Sequence, residues 1–165
     1  PYYITTPIIL SFLEHGLPLL TSMTFMVQKE VAQRMTARPG GKEYGALTVA
    51  VGYFSEAEIL FTVPPHCFIP QPAVDSAVIR LIVRKEPPFP LEDRDFFFKV
   101  VRASFCQRRK MLANSLANAP YLGISREKAI QCIESLDRDA GIRGEVLSPE
   151  EFGRLSNLIL QNRGI

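Results

Sequence analysis

A cluster of prolines divides this sequence into two stretches with different secondary-structure signals. The segment KEPPFPLED, residues 85–93, has three prolines within four residues, and proline supplies no N–H donor to a helix or a sheet. Short β-branched segments occur before the cluster, whereas the residues after it show helical patterns alone. We therefore expect an α/β domain over residues 1–86 and a small all-α domain over residues 87–165.

The first stretch alternates helix and strand signals. Thr5, Thr6 and Pro7 are typical of a helix start, and Gly16 of a helix end. The segment ALTVAVGYF, residues 46–54, is compatible by local rules with either a strand or a buried helix. Short apolar and β-branched runs predict strands over residues 22–28, 57–64 and 76–84, and helical spacing predicts a helix over residues 29–37.

A sheet of this size would be incomplete as an α/β fold. With about three strands it would leave one apolar face and one strand edge without a partner. The chain begins with PYYITTPIIL and has no glycine-rich strand-to-helix turn of the kind that opens a dinucleotide-binding fold. We therefore expect further protein before Pro1.

The second stretch carries three helical patterns. Apolar residues from Phe97 to Leu116 recur at helical spacing and predict a continuous helix within residues 93–118. Ser125 is a candidate N-cap for a helix that ends near residue 136. Ser148, followed by Pro149 and two glutamates, is a strong start signal for a last helix over residues 148–160.

Composition excludes several classes of protein. The chain is 47% hydrophobic and 22% charged with a net charge of +2, which is typical of a globular protein. Cys67, Cys106 and Cys132 are far apart and form no CxxC pair, and there are only two histidines. We therefore expect no disulfide framework and no metal site, and a reducing cytoplasm as the compartment. The longest mostly apolar run is far too short to span a membrane.

Four segments, in order along the chain, resemble the ribosomal RNA adenine dimethyltransferases, and specifically the KsgA type that modifies small-subunit RNA. They are PYYITTPII, MVQKEVAQRM, FIPQPAVDSAVIRL and VVRASFCQRRKMLANSL. The late stretch RGEVLSPEEFGRLSN is similar to the closing motif of the same family. The resemblance covers essentially the whole chain.

The resemblance implies a fold and a cofactor. It predicts the C-terminal half of a Rossmann-like class I methyltransferase sheet followed by a small all-α, rRNA-binding domain, with residues 46–54 in a helix. S-adenosylmethionine is the methyl donor of the full-length enzymes, and the family holds it in a half that we expect before Pro1, so no cofactor-binding residue is expected here. On this basis the chain is cut inside the catalytic tetrad and should be inactive alone.

The same resemblance assigns the residues that hold the target adenine. Pro1 and Tyr2 match the second half of the family's Asn-Leu-Pro-Tyr tetrad, and Tyr2 is expected to stack on the base. Phe68 matches the aromatic residue on the opposite side, and Pro70 and Pro72 would stiffen its loop. The groups that accept hydrogen bonds from the adenine amine would precede Pro1. From the residues alone, Tyr2 could be a disordered terminus and Phe68 a lid over the core.

The basic segment RASFCQRRK is the candidate RNA contact. On a helix, Lys99, Arg102 and Arg109 would share one face with Arg108 and Lys110 beside it, and such a stripe suits RNA phosphates. A solvated helix face is the alternative for a run of charges. We interpret the polar segment QKE, residues 28–30, as a strand-to-helix junction whose side chains hydrogen-bond locally.

The resemblance implies a 16S rRNA adenine N6-dimethyltransferase that acts on two adjacent adenosines near the 3′ end of small-subunit rRNA. The expected partner is the small ribosomal subunit, with no membrane and no DNA, and the expected state is a monomer in the cytoplasm. Two alternatives stay open. One is a 23S rRNA methyltransferase of the macrolide-resistance type, and the other is a non-catalytic RNA-binding module.

Overall fold

The computed structural model describes residues 4–15 and 19–163, and these form two compact units. The sheet unit comprises the described residues up to Arg38 together with Lys42–Pro87. The helical unit comprises Pro39–Gly41 and the described residues from Pro88 onward. The short Pro39–Gly41 segment groups with the helices because the Gly40 N–H donates to the Glu145 carbonyl at 2.7 Å.

The sheet unit is a three-stranded antiparallel sheet with helices. Its strand order is β1-β3-β2. The ambiguous segment 46–54 is a helix, as the family resemblance implied, and its start is fixed where the Gly45 N–H donates to Thr48 Oγ1 at 3.1 Å. In chain order the elements are α1 (Thr5–His15), β1 (Ser22–Gln28), α2 (Lys29–Met35), α3 (Ala46–Phe54), β2 (Ser55–Val63) and β3 (Ser76–Val83). Gly16, the predicted end of α1, lies outside the described residues.

The core of the sheet unit lies on one face of the sheet. Alternate residues of β3 point into it, because successive side chains of a strand lie on opposite faces. Strand β1 and helices α1, α2 and α3 supply the rest of this core. Its buried members are Ile9, Leu13, Met23, Val27, Ala32, Met35, Val51, Ala77, Ile79 and Leu81. The other face is open to solvent at Met26, Phe61 and Ile82, in agreement with the expectation that a sheet this small leaves apolar surface bare.

The helical unit closes around a core of its own. Its helices are α4 (Arg94–Cys106), α5 (Leu112–Ala117), α6 (Arg126–Glu134) and α7 (Pro149–Gln161), with single 3-10 turns at Pro120–Leu122 and Gly144–Val146. The start signals predicted from Ser125 and Ser148 are confirmed. The hydroxyl of each accepts from a backbone N–H one turn ahead, from Lys128 and Glu151 respectively. No helix within the described ranges is long and apolar enough to cross a membrane.

The predicted continuous helix within residues 93–118 is wrong, because the chain breaks between Cys106 and Leu112. Gln107 leaves helical geometry at φ −125° and ψ 67°, and its carbonyl accepts from the Lys110 N–H at 2.8 Å. The Leu112 N–H then donates to the Ile142 carbonyl at 2.8 Å. A tertiary contact therefore replaces the helical hydrogen bonds, and no glycine or proline in the segment signals the break.

Candidate functional site

Three chain segments meet at one end of the sheet. Ser76, at the start of β3, is paired with Gln28 at the end of β1 and with Val63 at the end of β2. The connection between β2 and β3, residues 64–75, is called here the Phe68 loop. Because Ser76 follows the loop directly and pairs with Gln28, the second end of the loop lies next to the start of α2.

Two bonds tie the Phe68 loop to the start of α2. The Lys29 ammonium donates to Asp75 Oδ2 at 3.0 Å, and the Lys29 backbone N–H donates to the Asp75 carbonyl at 3.0 Å. The two side chains remain 42% and 39% exposed, so the ion pair is screened by water and modest in energy. The pair fixes the end of the loop in place more than it stabilises the fold.

Phe68 lies in the first half of this loop. It follows a single 3-10 turn, Pro65–Cys67, and its N–H donates to the Pro65 carbonyl at 3.1 Å. Its own backbone is extended and its side chain is partly buried. The next residue, Ile69, is fully exposed and precedes Pro70 through a cis peptide bond. Phe68 is therefore held on a short, proline-bounded turn near the end of the sheet.

A cavity of about 410 Å³ lies between the start of α2 and the two ends of the Phe68 loop. Its walls differ in chemistry, with polar and charged side chains from the β1–α2 junction and mostly small apolar side chains from the loop. The lining residues are Gln28, Lys29, Glu30, Gln33, Pro65, Ala73, Val74 and Asp75.

The polar segment QKE behaves as predicted at one residue only. Lys29 forms the local pair with Asp75. Gln28 precedes the first residue of α2 without a side-chain cap. Within the described ranges, neither Gln28 nor Glu30 forms a side-chain hydrogen bond or ion pair. The interpretation of this segment as a fully satisfied junction is therefore wrong for two of its three residues.

The predicted basic stripe divides between a helix and a turn. Lys99 and Arg102 are exposed on α4 at a spacing that places them on one face. Arg108, Arg109 and Lys110 lie on the turn after α4 and not on the helix, so the prediction of one continuous helical face is wrong for these three. The chain leaves the helix at Gln107, and after the turn the Leu112 N–H donates to the Ile142 carbonyl.

The five basic residues also differ in their partners. The Arg108 guanidinium donates through Nε to Glu145 Oε2 at 3.0 Å and through Nη2 to the Gly41 carbonyl at 3.3 Å. The side chains of Lys99, Arg102, Arg109 and Lys110 have no ion-pair partner in the part of the chain that the structure describes. These four cations are therefore available to anions in solution, and Arg108 is largely committed to the fold.

Sequence comparison places the chain in a family. Residues 1–140 match the family described as "Ribosomal RNA adenine dimethylase". The chain belongs to this family. Two relatives named "Ribosomal RNA small subunit methyltransferase A" support the assignment. The protein from Geobacillus sp. (strain WCH70) is 52% identical over 160 residues, with 96% of this chain and 55% of the relative covered. The protein from Lachnoclostridium phytofermentans is 48% identical over 159 residues, with 96% and 54% covered.

Solved structures of similar proteins have the same fold. A dimethyladenosine transferase from Plasmodium falciparum is 27% identical with a TM-score of 0.78, over 94% of this chain and 62% of that one. The 23S rRNA methyltransferase ErmE is also 27% identical, with a TM-score of 0.66 over 98% and 63%. The chain is thus an α/β methyltransferase sheet followed by a small helical unit. It spans about half the length of the curated relatives it matches.

The described strand ends of this family member were compared with the usual form of a nucleotide-type cofactor site. Such sites use a glycine-rich turn between a strand and a helix. The junctions that follow β1, β2 and β3 carry no glycine. Within the described ranges no group of three His, Cys, Asp or Glu side chains could hold a metal ion.

Sequence reasoning located part of this site. Phe68 is on the turn that the structure places at the end of the sheet, whereas Pro1 and Tyr2 lie outside the described residues. The cavity and the Lys29–Asp75 pair were missed. One signal was present, because Lys29 follows one strand directly and Asp75 precedes another. Pairing those strands requires a register that a single sequence does not contain.

Proposed function

We propose that this chain takes part in the N6-dimethylation of two adjacent adenosines near the 3′ end of small-subunit rRNA, with S-adenosylmethionine as the methyl donor. One observation carries the proposal. About half of the aligned residues are identical between this chain and relatives that are named for the small ribosomal subunit. Both relatives found by sequence are named for the small subunit, at 52% and 48% identity, whereas the 23S rRNA methyltransferase ErmE is 27% identical, so the large-subunit alternative is not favoured. The donor site belongs, on this proposal, to the part of the relatives that the chain does not match.

The proposed role of the sheet unit is to hold the target base. Phe68 stacks on one face of a flipped adenine and Tyr2 on the other, beside Pro1, which matches the proline of the family's tetrad. Holding the base between two rings orients the amine for transfer and contributes about 1–3 kcal/mol per stacked base. The Lys29–Asp75 pair supports this role, since it anchors the loop that carries Phe68.

The proposed role of the helical unit is to bind rRNA. Lys99, Arg102, Arg109 and Lys110 contact phosphates, because their charges are exposed and have no partner in the described ranges. Arg108 contributes less, since Glu145 holds its guanidinium. The partner on this proposal is the small ribosomal subunit in the cytoplasm, and the chain acts as a monomer without DNA or membrane.

The test uses two proteins and undermethylated ribosomal subunits. The first is this chain alone, and the second is a fusion of this chain to the part of the Geobacillus relative that lies outside the match. With labelled S-adenosylmethionine, we expect the fusion to methylate small subunits and not large ones, and the chain alone to transfer nothing. Methylation of large subunits would contradict the proposed substrate, and so would an inactive fusion beside an active relative.

Variants of the fusion separate the two proposed roles. Phe68→Ala should lower kcat/KM about fivefold to 150-fold, the equivalent of about 1–3 kcal/mol, with little loss of subunit binding. Phe12→Ala, at an exposed phenylalanine of α1, is the matched control. Replacing Arg102 and Arg109 by Gln should weaken binding and reduce its logarithmic salt slope by about 0.7–0.9 per lost phosphate contact. Arg154→Gln, at an exposed arginine of α7, is the control. Unchanged binding in the Arg102 and Arg109 variant would favour the alternative that these charges only form a solvated surface.

A further inference from the structure

We propose that the cavity beside the Phe68 loop binds a nucleobase with an exocyclic amino group, namely the base next to the adenosine that is methylated. The inference rests on the proposed function and extends it, because it assigns a second part of the substrate to the same end of the sheet. The cavity of about 410 Å³ is within the size range of small-molecule sites.

The polar wall of the cavity has unused hydrogen-bonding groups. The carboxamides of Gln28 and Gln33 and the carboxylate of Glu30 line it, and none of the three has a side-chain partner in the described ranges. A carboxamide presents a donor and an acceptor side by side, which matches the adjacent amine and ring nitrogen of adenine. A carboxylate accepts from an exocyclic amine. The wall therefore suits an amino-bearing base.

The charge of the cavity argues against a phosphate. One cation and two anions line it, and the cation, Lys29, is held by Asp75 at 3.0 Å. The Glu30 carboxylate has no ion-pair partner among residues 4–15 and 19–163. A phosphate in the cavity would be repelled at short range by the Glu30 carboxylate, and the Lys29 ammonium that could offset this repulsion is already paired with Asp75. An uncharged base that donates a hydrogen bond avoids this repulsion.

The opposite wall suits a flat apolar surface. Pro65, Ala73 and Val74 face the cavity from the two ends of the loop, and Val74 is 45% exposed. A base that packs against this wall removes its apolar area from water and directs its polar edge to the carboxamides. The apolar area would contribute roughly 25 cal/mol for each square ångström that is buried.

The cavity is close enough to Phe68 to take a neighbouring nucleotide. Pro65 lines the cavity, and its carbonyl accepts from the Phe68 N–H at 3.1 Å. The two residues are one 3-10 turn apart, which is about 6 Å along the chain at about 2.0 Å per residue. Successive nucleotides of one strand are separated by about 3.4 Å or more. A base on Phe68 and its neighbour in the cavity are therefore compatible with one continuous strand.

The test is a titration of the isotopically labelled chain with dinucleotides, followed by NMR. Adenylyl-adenosine should shift the side-chain signals of Gln28 and Gln33 and the backbone signals of Glu30 and Val74. Uridylyl-uridine should bind at least tenfold more weakly, and inorganic phosphate should leave these signals in place. Equal binding of the two dinucleotides, or no shift at these residues, would overturn the inference.

A matched pair of double variants makes the test specific. Glu30→Gln with Gln33→Ala should weaken binding of adenylyl-adenosine at least fivefold. Gln131→Ala with Glu134→Gln changes the same residue types at the same spacing on exposed positions of α6 and should have no effect. An equal effect of the two pairs would contradict a site at this cavity. All four residues are on the surface, so the variants should fold.

The result is separable from that of the proposed function. Methylation of small subunits by the fusion without a response at the cavity overturns this inference and leaves the proposed function intact. A response to adenylyl-adenosine alongside an inactive fusion supports the cavity as a base-binding site and overturns the proposed activity. If the isolated chain gives no dispersed spectrum, the fusion is the sample for the same titration.

Discussion

The two units of this protein treat their apolar side chains differently. Among the described residues, the helical unit exposes only two large hydrophobic side chains, Tyr121 and Val146. The sheet unit exposes ten: Ile8, Phe12, Leu19, Met26, Ile59, Leu60, Phe61, Ile69, Val74 and Ile82. The helices of one unit surround a closed core, whereas the sheet of the other buries one face and leaves the second in water.

The units also differ in how their helices begin. Asp93, Ser125 and Ser148 each accept from a backbone N–H at the start of α4, α6 and α7, whereas α5 follows Met111 without a side-chain cap. In the sheet unit, α2 follows Gln28 without such a cap, and at α3 the only side-chain bond among the described residues runs from the Gly45 N–H back to Thr48. A cap of this kind contributes about 1 kcal/mol. Local signals therefore reinforce the helical unit, and the sheet unit depends more on its tertiary contacts.

This difference matches the proposed division of labour. The candidate base-binding site lies on the loop and junction at one end of the sheet, where the side chains of Gln28 and Glu30 have no partner among the described residues. The exposed cations of α4 and of the turn after it lie on the helical unit, whose core is closed. We therefore expect the helical unit to have the greater hydrogen-exchange protection, since protection follows buried contacts and satisfied backbone groups.

The largest effect is expected from a buried phenylalanine of the helical unit. Phe152 is fully buried in the helical unit, with its ring centre 5.6 Å from that of Phe105. Phe152→Ala should lower the free energy of unfolding by about 3–5 kcal/mol, because it removes apolar contacts and leaves a cavity. Urea unfolding followed by circular dichroism measures the loss, and hydrogen exchange assigns it to the helical unit.

The matched substitution lies on the open face of the sheet. Phe61 is 57% exposed, so Phe61→Ala should change the free energy of unfolding by no more than about 0.5 kcal/mol. A loss comparable to that of Phe152→Ala would show that the open face is covered in solution. The contrast between the two units would then be wrong.

A glycine in a helix of each unit gives the next contrast. A Cβ at Gly153, in α7, would lie 2.6 Å from a ring carbon of Phe89, whereas one at Gly52, in α3, would have no atom within 4 Å. Gly153→Ala should destabilise by about 1–3 kcal/mol through overpacking. Gly52→Ala should stabilise by up to about 1 kcal/mol, because alanine favours the helix. Thermal unfolding compares the two, and stabilisation by both would indicate that the α7 packing is loose.

Sequence reasoning succeeded where a single segment carries its own signal. Ser148, Pro149 and the glutamates after them predicted the start of α7, and the structure has a helix there with a capping box. The strands were found from short β-branched runs. The helix over residues 46–54 was identified only by family resemblance, since its apolar residues suit a buried helix and a strand equally.

The misses arise from contacts that are distant in sequence. The turn after Cys106 forms because Leu112 pairs with Ile142 and Arg108 pairs with Glu145. Ile142 and Glu145 lie far from this turn in sequence, so the local spacing of apolar residues gave no sign of them. The prediction therefore continued the helix through the basic segment. The cavity likewise depends on the register of β1 and β3. Sequence thus located the aromatic residue of the candidate site but not the walls beside it.

A pH-dependent contribution is expected from the start of α7. Burial raises the pKa of the Glu151 carboxyl, but hydrogen bonds from Arg138 and from the Ser148 N–H outweigh it, so this pKa lies below its ordinary value. A lowered pKa in the folded state stabilises the fold above the unfolded-state pKa, and this stabilisation is lost as the pH falls through the folded-state pKa. Glu151→Gln should therefore cost about 1 kcal/mol at neutral pH and progressively less in acid.

Its control is the neighbouring carboxylate. Glu150 lies in the same first turn of α7 but is exposed, so Glu150→Gln should change the free energy of unfolding by a few tenths of a kcal/mol, about the size of a surface dipole effect. Urea unfolding over a pH series provides both comparisons. If the loss of unfolding free energy in Glu151→Gln stayed constant with pH, the charge of the Glu151 carboxylate would not be what stabilises the start of α7.

The smallest change in stability is expected at the Phe68 loop. Asp75→Asn removes the ion pair with Lys29 but leaves the backbone hydrogen bond at 3.0 Å. An exposed pair contributes about 0.2–1 kcal/mol, so the free energy of unfolding should hardly change. Hydrogen exchange in residues 64–75 should nevertheless become faster, because the end of the loop loses one of its two anchors. Glu58→Gln, which removes the ion pair between Glu58 and Arg80 on the open face of the sheet, is the matched control and should leave exchange in the loop unchanged. Equal exchange in the two variants would mean that the Lys29–Asp75 pair does not order the loop, and that the backbone hydrogen bond between Lys29 and Asp75 is enough to hold its end.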